Sequence, residues 1–300
     1  MEKIKLLLDT DIGTDIDDAV CLAYLLSHPR CELMGITTCT GEAEKRAMIA
    51  SAICRVAGKD VPIFPGMEHP LVVPQLQTRA AQASALDRWD HQVSFPRDEA
   101  VEFLRHTIRS HPGTITLVTI APLTNIGKLF SIDHEIPSLL KGLVMMCGRF
   151  LAPVPEGYGP LEWNATGDPH ATSIVYNARV PVHRSIGLDV TSRVSMSAGE
   201  FRSTMSGFPL FAPVLDFAEV WFKDWDSTTF HDPLAAATVF EEQLCTFDRG
   251  RVEIDLTTEG GIGETGWTRD GTGPHEIATD VVADRFFEHF LSISRNGVAP

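Results

Sequence analysis

The sequence predicts an α/β fold, in which an open, mostly parallel, doubly wound sheet carries helices on both faces. Three observations support this prediction. Short apolar runs alternate with segments of helical periodicity along most of the chain, as repeated strand–helix–strand units do. Pro29 and Gly58 stand where two of these helical segments end. The 300 residues are 44% hydrophobic, which is ample for the core of one large domain.

The elements can be assigned in order from these patterns. Short runs rich in apolar and β-branched residues predict strands at 5–8, 31–38, 61–64, 114–120, 143–146 and 251–256. Apolar residues at helical spacing predict helices at 17–28, 42–57, 98–110 and 284–293, and others that begin after Pro122 and near Pro169 and Asp232. Residues 75–96 and 151–164 are expected to form long loops. We expect one domain over residues 1–300, with 197–230 as a helical cap.

Charge and cysteine content restrict the function. The formal net charge is −15, which argues against a nucleic-acid or anionic-membrane partner. No stretch approaches the roughly 20 apolar residues that a membrane helix needs, and we expect a cytoplasmic protein. Six cysteines show no CxxC spacing, so they are expected to be reduced, mostly buried thiols.

The first predicted strand ends in five aspartates within ten positions: Asp9, Asp11, Asp15, Asp17 and Asp18. Like charges this close repel unless a cation or hydrogen-bond donors offset them. Capping of the next helix explains one or two of them, most simply Asp15. An EF-hand does not fit, because Gly13 falls at the fifth loop position instead of the sixth and Val20 stands where the final glutamate is required. A haloacid dehalogenase type phosphatase with Asp9 as nucleophile remains an alternative. A hard-metal site for Ca²⁺ or Mg²⁺ is a third possibility.

Further oxygen ligands are available at other strand ends. In parallel sheets, ligands bind outside the carboxyl ends of the strands. The sequence Ala-Pro-Leu-Thr-Asn ends at Asn125 and follows the predicted strand 114–120. Glu162 and Asn164 precede a predicted helix, and Asp232 stands at the start of another. Each of these positions is also a common place for an ordinary helix cap.

Taken in order, the motifs DTDIGTDIDDAV, APLTN, MMCG, EWN-x3-DP and HDPLA resemble the inosine–uridine type nucleoside hydrolases. The resemblance implies an open α/β fold with Ca²⁺ at the bottom of a pocket, and hydrolysis of the N-glycosidic bond of ribonucleosides. It also implies a homodimer or homotetramer. In this reaction the metal would orient a water and lower its pKa, and Asp11 would accept the proton.

The resemblance assigns roles to individual residues. The Ca²⁺ ligands would be Asp11, Asp18, Asp232 and the backbone carbonyl of Thr124. The residues near the ribose would be Asp17, Met146, Glu162 and Asn164. His231 would face the leaving nucleobase, with His91 as a second candidate, and Trp225 would belong to the nucleobase pocket.

Three positions depart from the family pattern. Ile12 replaces a proline, and two extra residues separate Gly13 from the Asp17–Asp18 pair, so Asp15 is a rival ligand. Glu42 stands where asparagine is usual, and it is therefore a candidate to contact Asp11, the ribose or the metal. Cys147 replaces a glycine and is expected to narrow the pocket floor. Glu42 and Cys147 keep open a third alternative, a non-catalytic nucleoside- or ribose-binding protein.

Overall fold

The computed structural model describes residues 2–151, 153 and 157–295. It contains a nine-stranded sheet in the order β10-β9-β11-β6-β5-β4-β1-β2-β3. The strands are β1 Ile4–Thr10, β2 Cys31–Thr38, β3 Ile63–Pro65, β4 Ile115–Thr119, β5 Gly142–Met146, β6 His183–Ile186, β7 Ser195–Ser197, β8 Ser227–Thr229, β9 Cys245–Ile254, β10 Thr265–Arg269 and β11 His275–Val281. All neighbours from β11 to β3 pair in parallel, and β9 is antiparallel to both β10 and β11. The predicted mostly parallel sheet is confirmed.

Helices connect the strands and cover the sheet. They are α1 Asp17–Ser27, α2 Ala43–Val56, α3 Ala100–Ser110, α4 Thr124–Ile132, α5 Ile136–Leu139, α6 Trp163–Gly167, α7 Pro169–Tyr176, α8 Leu188–Thr191, α9 Ala198–Met205, α10 Ala212–Trp221, α11 His231–Ala237 and α12 Ala283–Ser294. Three short 3-10 helices lie at Ala81–Arg88, Pro209–Phe211 and Glu242–Leu244. Within the described ranges, no helix combines the length and apolarity needed to cross a membrane.

Strand β1 shows why helices lie on both faces. Successive side chains of a strand point to opposite faces. Leu6 and Leu8 pack into one core with α1, α2 and α12, whereas Leu7 packs into a second core with α3, α4 and α7. Because both faces are covered, the run is apolar throughout and has no polar alternation. The doubly wound arrangement follows from this pattern.

Several elements differ from the predictions. The late strand covers Cys245–Ile254 and begins six residues before the predicted position. Strands β6, β10 and β11 were not predicted. In β6, all four residues are buried although three are polar, because partners such as Glu276 and Tyr176 satisfy Arg184 and Ser185. A buried polar strand carries no hydrophobic pattern to reveal it.

The segment expected to form a helical cap contains α9 and α10, and it also contains strand structure. Strand β7 pairs with β8 in a separate two-stranded antiparallel sheet that frames the two helices. The helices pack through fully buried phenylalanines, among them Phe201 and Phe217. Its assignment as a cap, like the single-domain assignment, stays a prediction.

The strand order places a crevice at the end of β1. The chain winds outward from β1 through β2 to β3 on one side, and through β4 and β5 to β6 on the other. In such sheets, ligands bind at this switch point, outside the carboxyl ends of the strands. The loop that follows β1, residues 11–16, lies at this position and carries the aspartates.

Candidate active site

Three buried carboxylates meet at the switch point. Asp17 and Asp18 lie in the first turn of α1, and Asp232 lies in the first turn of α11. Each offers one oxygen within 4.8 Å of the other two. Each side chain belongs to a residue that is only 4% exposed. Two helices therefore bring the adjacent pair Asp17 and Asp18 together with Asp232, which is distant in the sequence.

Few hydrogen-bond donors reach these three carboxylates. The Thr10 hydroxyl donates to Asp18 Oδ1 at 2.5 Å, and the Asp232 backbone amide donates to Asp17 Oδ2 at 3.2 Å. Burial raises the pKa of all three carboxyl groups well above their ordinary range, and their mutual repulsion adds to that effect. A divalent cation would offset this repulsion, and an all-oxygen donor set suits Ca²⁺ or Mg²⁺. The donor set therefore fits a hard metal ion.

Asp11 lies beside this group. Burial is the main cause of the raised pKa of Asp18, and the negative charge of Asp11 is the next largest. Asp11 Oδ2 accepts a hydrogen bond of 2.8 Å from Gln77 Nε2. Gln77 Oε1 in turn accepts from the half-exposed Trp163 Nε1 at 2.7 Å. Gln77 comes from the long loop after β3, and sequence reasoning did not identify it.

Arg46 organises the loop that carries Asp11, a role that no pattern in the sequence indicates. Its side chain is completely buried within α2. The guanidinium donates to the carbonyl oxygens of Asp11 and Ile12, to the Thr14 hydroxyl, and to the carbonyls of Gly41 and Arg79. Its positive charge also lowers the pKa values of Asp11 and Asp18 against the effect of burial.

Asp9 is a supporting residue of the sheet. It is fully buried, and its Oδ1 accepts from the Thr37 hydroxyl at 2.5 Å and from Asn125 Nδ2 at 2.8 Å. Burial raises its pKa to about 7. A nucleophile must reach its substrate, and this carboxyl group has no access to solvent. The phosphatase alternative with Asp9 as nucleophile is therefore wrong.

Thr124 and Asp168 connect two further strand ends to the site. Thr124 is the first residue of α4, immediately beyond the carboxyl end of β4. Its hydroxyl donates to Asp168 Oδ2 at 2.9 Å, and Asp168 Oδ1 caps α7 through the Ala171 amide at 3.0 Å. Thr124 thus lies at the edge of the sheet where the metal site was expected. Coordination of a metal ion by its backbone carbonyl stays a prediction.

Glu162, Asn164 and Met146 form one connected group. Glu162 caps α6, and its two oxygens accept from the amides of Asn164, Ala165 and Gly148 at 2.7–2.8 Å. Asn164 Nδ2 donates to the Met146 carbonyl at 3.0 Å. All three predicted residues are buried at the end of β5. Their contacts with a sugar stay predictions, and the Glu162 carboxylate already serves the backbone.

His231 stands next to Asp232 at the start of α11. Its Nδ1 is 2.6 Å from the Thr191 hydroxyl. The Tyr158 ring packs edge-on against the imidazole, with 5.8 Å between ring centroids and an interplanar angle of 88°. Burial lowers the pKa of His231 to about 4. Tyr158 was not predicted; burial raises its pKa, and the nearby charges of Asp15 and Asp17 raise it further.

The remaining predicted residues lie outside this group. The Glu42 carboxylate accepts from Lys45 Nζ at 2.6 Å and from the Ala80 amide at 2.9 Å, so it anchors the loop before Ala81. His91 Nδ1 bonds the Trp89 carbonyl at 2.7 Å. Trp225 is 58% exposed and stacks on Trp221. Substrate contacts of Glu42, His91 and Trp225 stay predictions.

Two departures from the family pattern also have clear positions. Asp15 Oδ1 accepts from the adjacent Ile16 amide at 2.6 Å, and burial raises the Asp15 pKa to about 6. Asp15 is not part of the three-carboxylate group. Cys147 is fully buried in the core that contains Tyr176, beneath the end of β5. It therefore packs behind the site.

Comparison with known proteins defines the class. A family model described as inosine-uridine preferring nucleoside hydrolase matches residues 6–288. An inosine-uridine preferring nucleoside hydrolase from Leishmania major is 33% identical over 276 residues, covering 84% of this chain and 83% of that protein. Uridine nucleosidase 1 from Arabidopsis thaliana is 25% identical over 270 residues, covering 84% and 78%.

The fold agrees with solved structures. A purine-preferring ribonucleoside hydrolase from Gardnerella vaginalis superposes with a TM-score of 0.84 at 24% identity, covering 98% of this chain and 99% of that one. Fold, site and relatives together define a hydrolase that acts on the N-glycosyl bonds of ribonucleosides. The chain belongs to the inosine-uridine preferring nucleoside hydrolase family.

Proposed function

We propose that the protein is a Ca²⁺-dependent ribonucleoside hydrolase that releases ribose and a free nucleobase. The observation that carries the metal dependence is the buried group of Asp17, Asp18 and Asp232, whose oxygens lie within 4.8 Å of one another. Without a cation, these three carboxylates would have to share protons or repel one another. Asp18, Asp232, Asp11 and the Thr124 carbonyl would hold the ion, with Asp17 on the sugar side.

Asp11 is the proposed general base. A bound divalent cation would lower the pKa of a water beside it. Asp11 would accept the proton of that water as the water attacks the anomeric carbon. The Gln77 amide fixes the Asp11 carboxylate from one side, and Arg46 fixes its backbone from the other. The carboxylate is therefore oriented before the substrate arrives.

The sugar would lie between the metal site and the end of β5. Hydrolysis of a glycosidic bond passes through a transition state with positive charge on the sugar ring. Carboxylate and amide oxygens around the ribose stabilise such charge. Asp17 and Asn164 would provide these groups, and Asn164 also donates a hydrogen bond to the Met146 carbonyl. His231 would donate a hydrogen bond or a proton to the departing base.

A panel of purine and pyrimidine nucleosides, assayed for released reducing sugar, tests this function. The unmodified protein with Ca²⁺ should release ribose from at least one nucleoside, and a chelator should abolish the release. Asp11→Asn should lower kcat by at least about a hundredfold, because it removes the base. Asp60→Asn is the matched control, since Asp60 is exposed beyond the end of α2. Binding of nucleosides without any ribose release would identify a non-catalytic binder.

The assembly and location are part of the same proposal. We expect a homodimer or homotetramer in the cytoplasm. Light scattering coupled to size-exclusion chromatography would measure the assembly, and a monomer at working concentration would contradict it.

A further inference from the structure

Thr191 lies where it can control the orientation of His231. It is the last residue of α8, which follows β6 directly, and its side chain is completely buried. Its hydroxyl oxygen is 2.6 Å from His231 Nδ1. The Phe230 amide also donates to the Val194 carbonyl at 2.8 Å, so the chain before His231 is tied to the segment after α8. The His231 side chain and the backbone just before it are thus both held by residues 191–194.

The imidazole is confined from a second direction. The Tyr158 ring stands perpendicular to it, and the Tyr158 hydroxyl is 2.9 Å from the Thr229 hydroxyl. On the other side, the Asp232 amide donates to Asp17 and fixes the start of α11 at the edge of the carboxylate group. The His231 ring is held at Nδ1 by Thr191 and packed against Tyr158, so it cannot turn over without breaking these contacts.

This arrangement leaves one ring nitrogen for a ligand. Nδ1 is occupied by Thr191, whereas Nε2 of His231 makes no hydrogen bond within the part of the chain that the structure describes. A hydrogen bond at one imidazole nitrogen fixes the orientation of the ring and therefore the direction in which the other nitrogen points. We propose that Thr191 is a positioning residue that holds His231 so that its Nε2 faces the departing nucleobase.

The chemical step follows from the proposed function, on which this inference rests. The bond between the anomeric carbon and the base nitrogen breaks, and its electron pair goes to the base. His231 enters this step as imidazolium, with Nδ1–H held on the Thr191 hydroxyl. Its Nε2–H donates the proton to that nitrogen and leaves a neutral imidazole, while Asp11 takes a proton from the attacking water. The two residues then exchange a proton through solvent, so the sum is water plus nucleoside giving ribose plus base.

Two substrates with different leaving groups separate positioning from structure. A nucleoside needs its base protonated, whereas p-nitrophenyl β-D-ribofuranoside releases a stabilised phenolate that needs no proton. Thr191→Val should lower kcat for the nucleoside by about 10- to 100-fold, because misplaced acid catalysis costs this much. It should change kcat for the p-nitrophenyl substrate by less than roughly threefold. Thr191→Ser, which keeps the hydroxyl, should restore most of the nucleoside activity.

Two controls make the result specific. Thr238→Val removes another buried threonine hydroxyl, one that donates to the Ala235 carbonyl at the far end of α11, and it should leave both activities unchanged. In a His231→Ala background, Thr191→Val should cause no further loss on the nucleoside, because the two residues act as one unit. Thermal unfolding of every variant checks that the protein remains folded.

The possible outcomes are distinct. If Thr191→Val lowers both activities equally, or lowers neither, the inference is overturned and the proposed function stands. The inference is also overturned, and the proposed function again stands, if Thr191→Val lowers nucleoside activity by the same factor in the His231→Ala background. If the unmodified protein releases ribose from no substrate in the presence of Ca²⁺, the proposed function fails and the inference fails with it. A loss confined to the nucleoside, rescued by serine, supports the inference.

Discussion

Replacing Arg46 with methionine should destabilise the loop that carries Asp11. The guanidinium is completely buried, and within the described residues it makes no salt bridge with a carboxylate. It donates instead to four carbonyl oxygens and one hydroxyl group, which belong to three separate segments of the chain. Methionine fills a similar volume but donates no hydrogen bond.

The expected magnitude follows from the groups left without a donor. The carbonyls of Asp11, Ile12 and Gly41 belong to buried residues, whereas Arg79 is exposed and can bond water. A buried polar group without a partner costs roughly 1–3 kcal/mol. Relaxation of the loop and entry of water recover part of that cost. We therefore expect Arg46→Met to lower the free energy of unfolding by about 3–5 kcal/mol.

Urea unfolding followed by circular dichroism measures this loss, with a chelator present so that no bound cation contributes. Arg46→Lys keeps the charge but not the forked geometry, so its midpoint should lie between those of the unmodified protein and Arg46→Met. Arg202→Met is the matched control, because the Arg202–Glu219 ion pair lies on the surface and its loss should matter little. An Arg46→Met midpoint equal to that of Arg202→Met would refute the reasoning.

Three other predictions concern charge. Burial raises the pKa of Asp9 from 3.8 to about 7, so the folded protein keeps a proton that the unfolded chain loses. Between about pH 4 and pH 7, this one group should therefore lower the free energy of unfolding of the metal-free protein by about 1.4 kcal/mol for each pH unit gained. Urea titrations at several pH values should show that the free energy of unfolding of Asp9→Asn depends on pH less steeply, by about 1.4 kcal/mol per pH unit. Asp232→Asn should weaken Ca²⁺ binding at least about tenfold in isothermal titration calorimetry, because it removes a charged ligand. Asp60→Asn should leave the affinity unchanged. Equal Ca²⁺ affinities for the two variants would contradict the assignment of Asp232 as a metal ligand. Glu42→Gln should change kcat/KM by less than roughly threefold in the ribose-release assay, because its carboxylate is engaged by Lys45 and a backbone amide, and a larger loss would favour contact with substrate.

The sequence predicted best those elements whose own residues determine them. Strand β1 is an uninterrupted apolar run, and α1 and α2 have apolar residues at helical spacing, so each is recognisable alone. Strand β6 is different, because the buried Arg184 forms ion pairs with two carboxylates, Glu242 and Glu276. Glu276 lies 2.7 Å from the guanidinium and 92 positions away in the sequence. Nothing near β6 in the sequence indicates that partner. The strand therefore becomes recognisable only after the chain has folded.

The same distinction applies to the site. Asp18 could be placed near the site in advance, because it opens a helix after β1, and ligands bind outside the carboxyl ends of parallel strands. Asp232 was assigned through the family resemblance, because the strand before it, β8, belongs to the separate antiparallel pair. Arg46, Gln77 and Tyr158 could not be placed in advance, because they reach the site from the first turn of α2 and from two long loops. A loop's path depends on the surface that it crosses, which its own sequence does not specify.

The position of Asp15 bears on two alignments that the sequence left open. Either the Asp17–Asp18 pair or Asp15 had to supply the acids of this loop. Helix α1 begins at Asp17, so both members of the pair project from its first turn towards Asp232. The Asp15 carboxylate turns back and bonds the Ile16 amide, outside the group. This arrangement favours Asp18 over Asp15 as the ligand, and the ligand role of Asp18 stays a prediction.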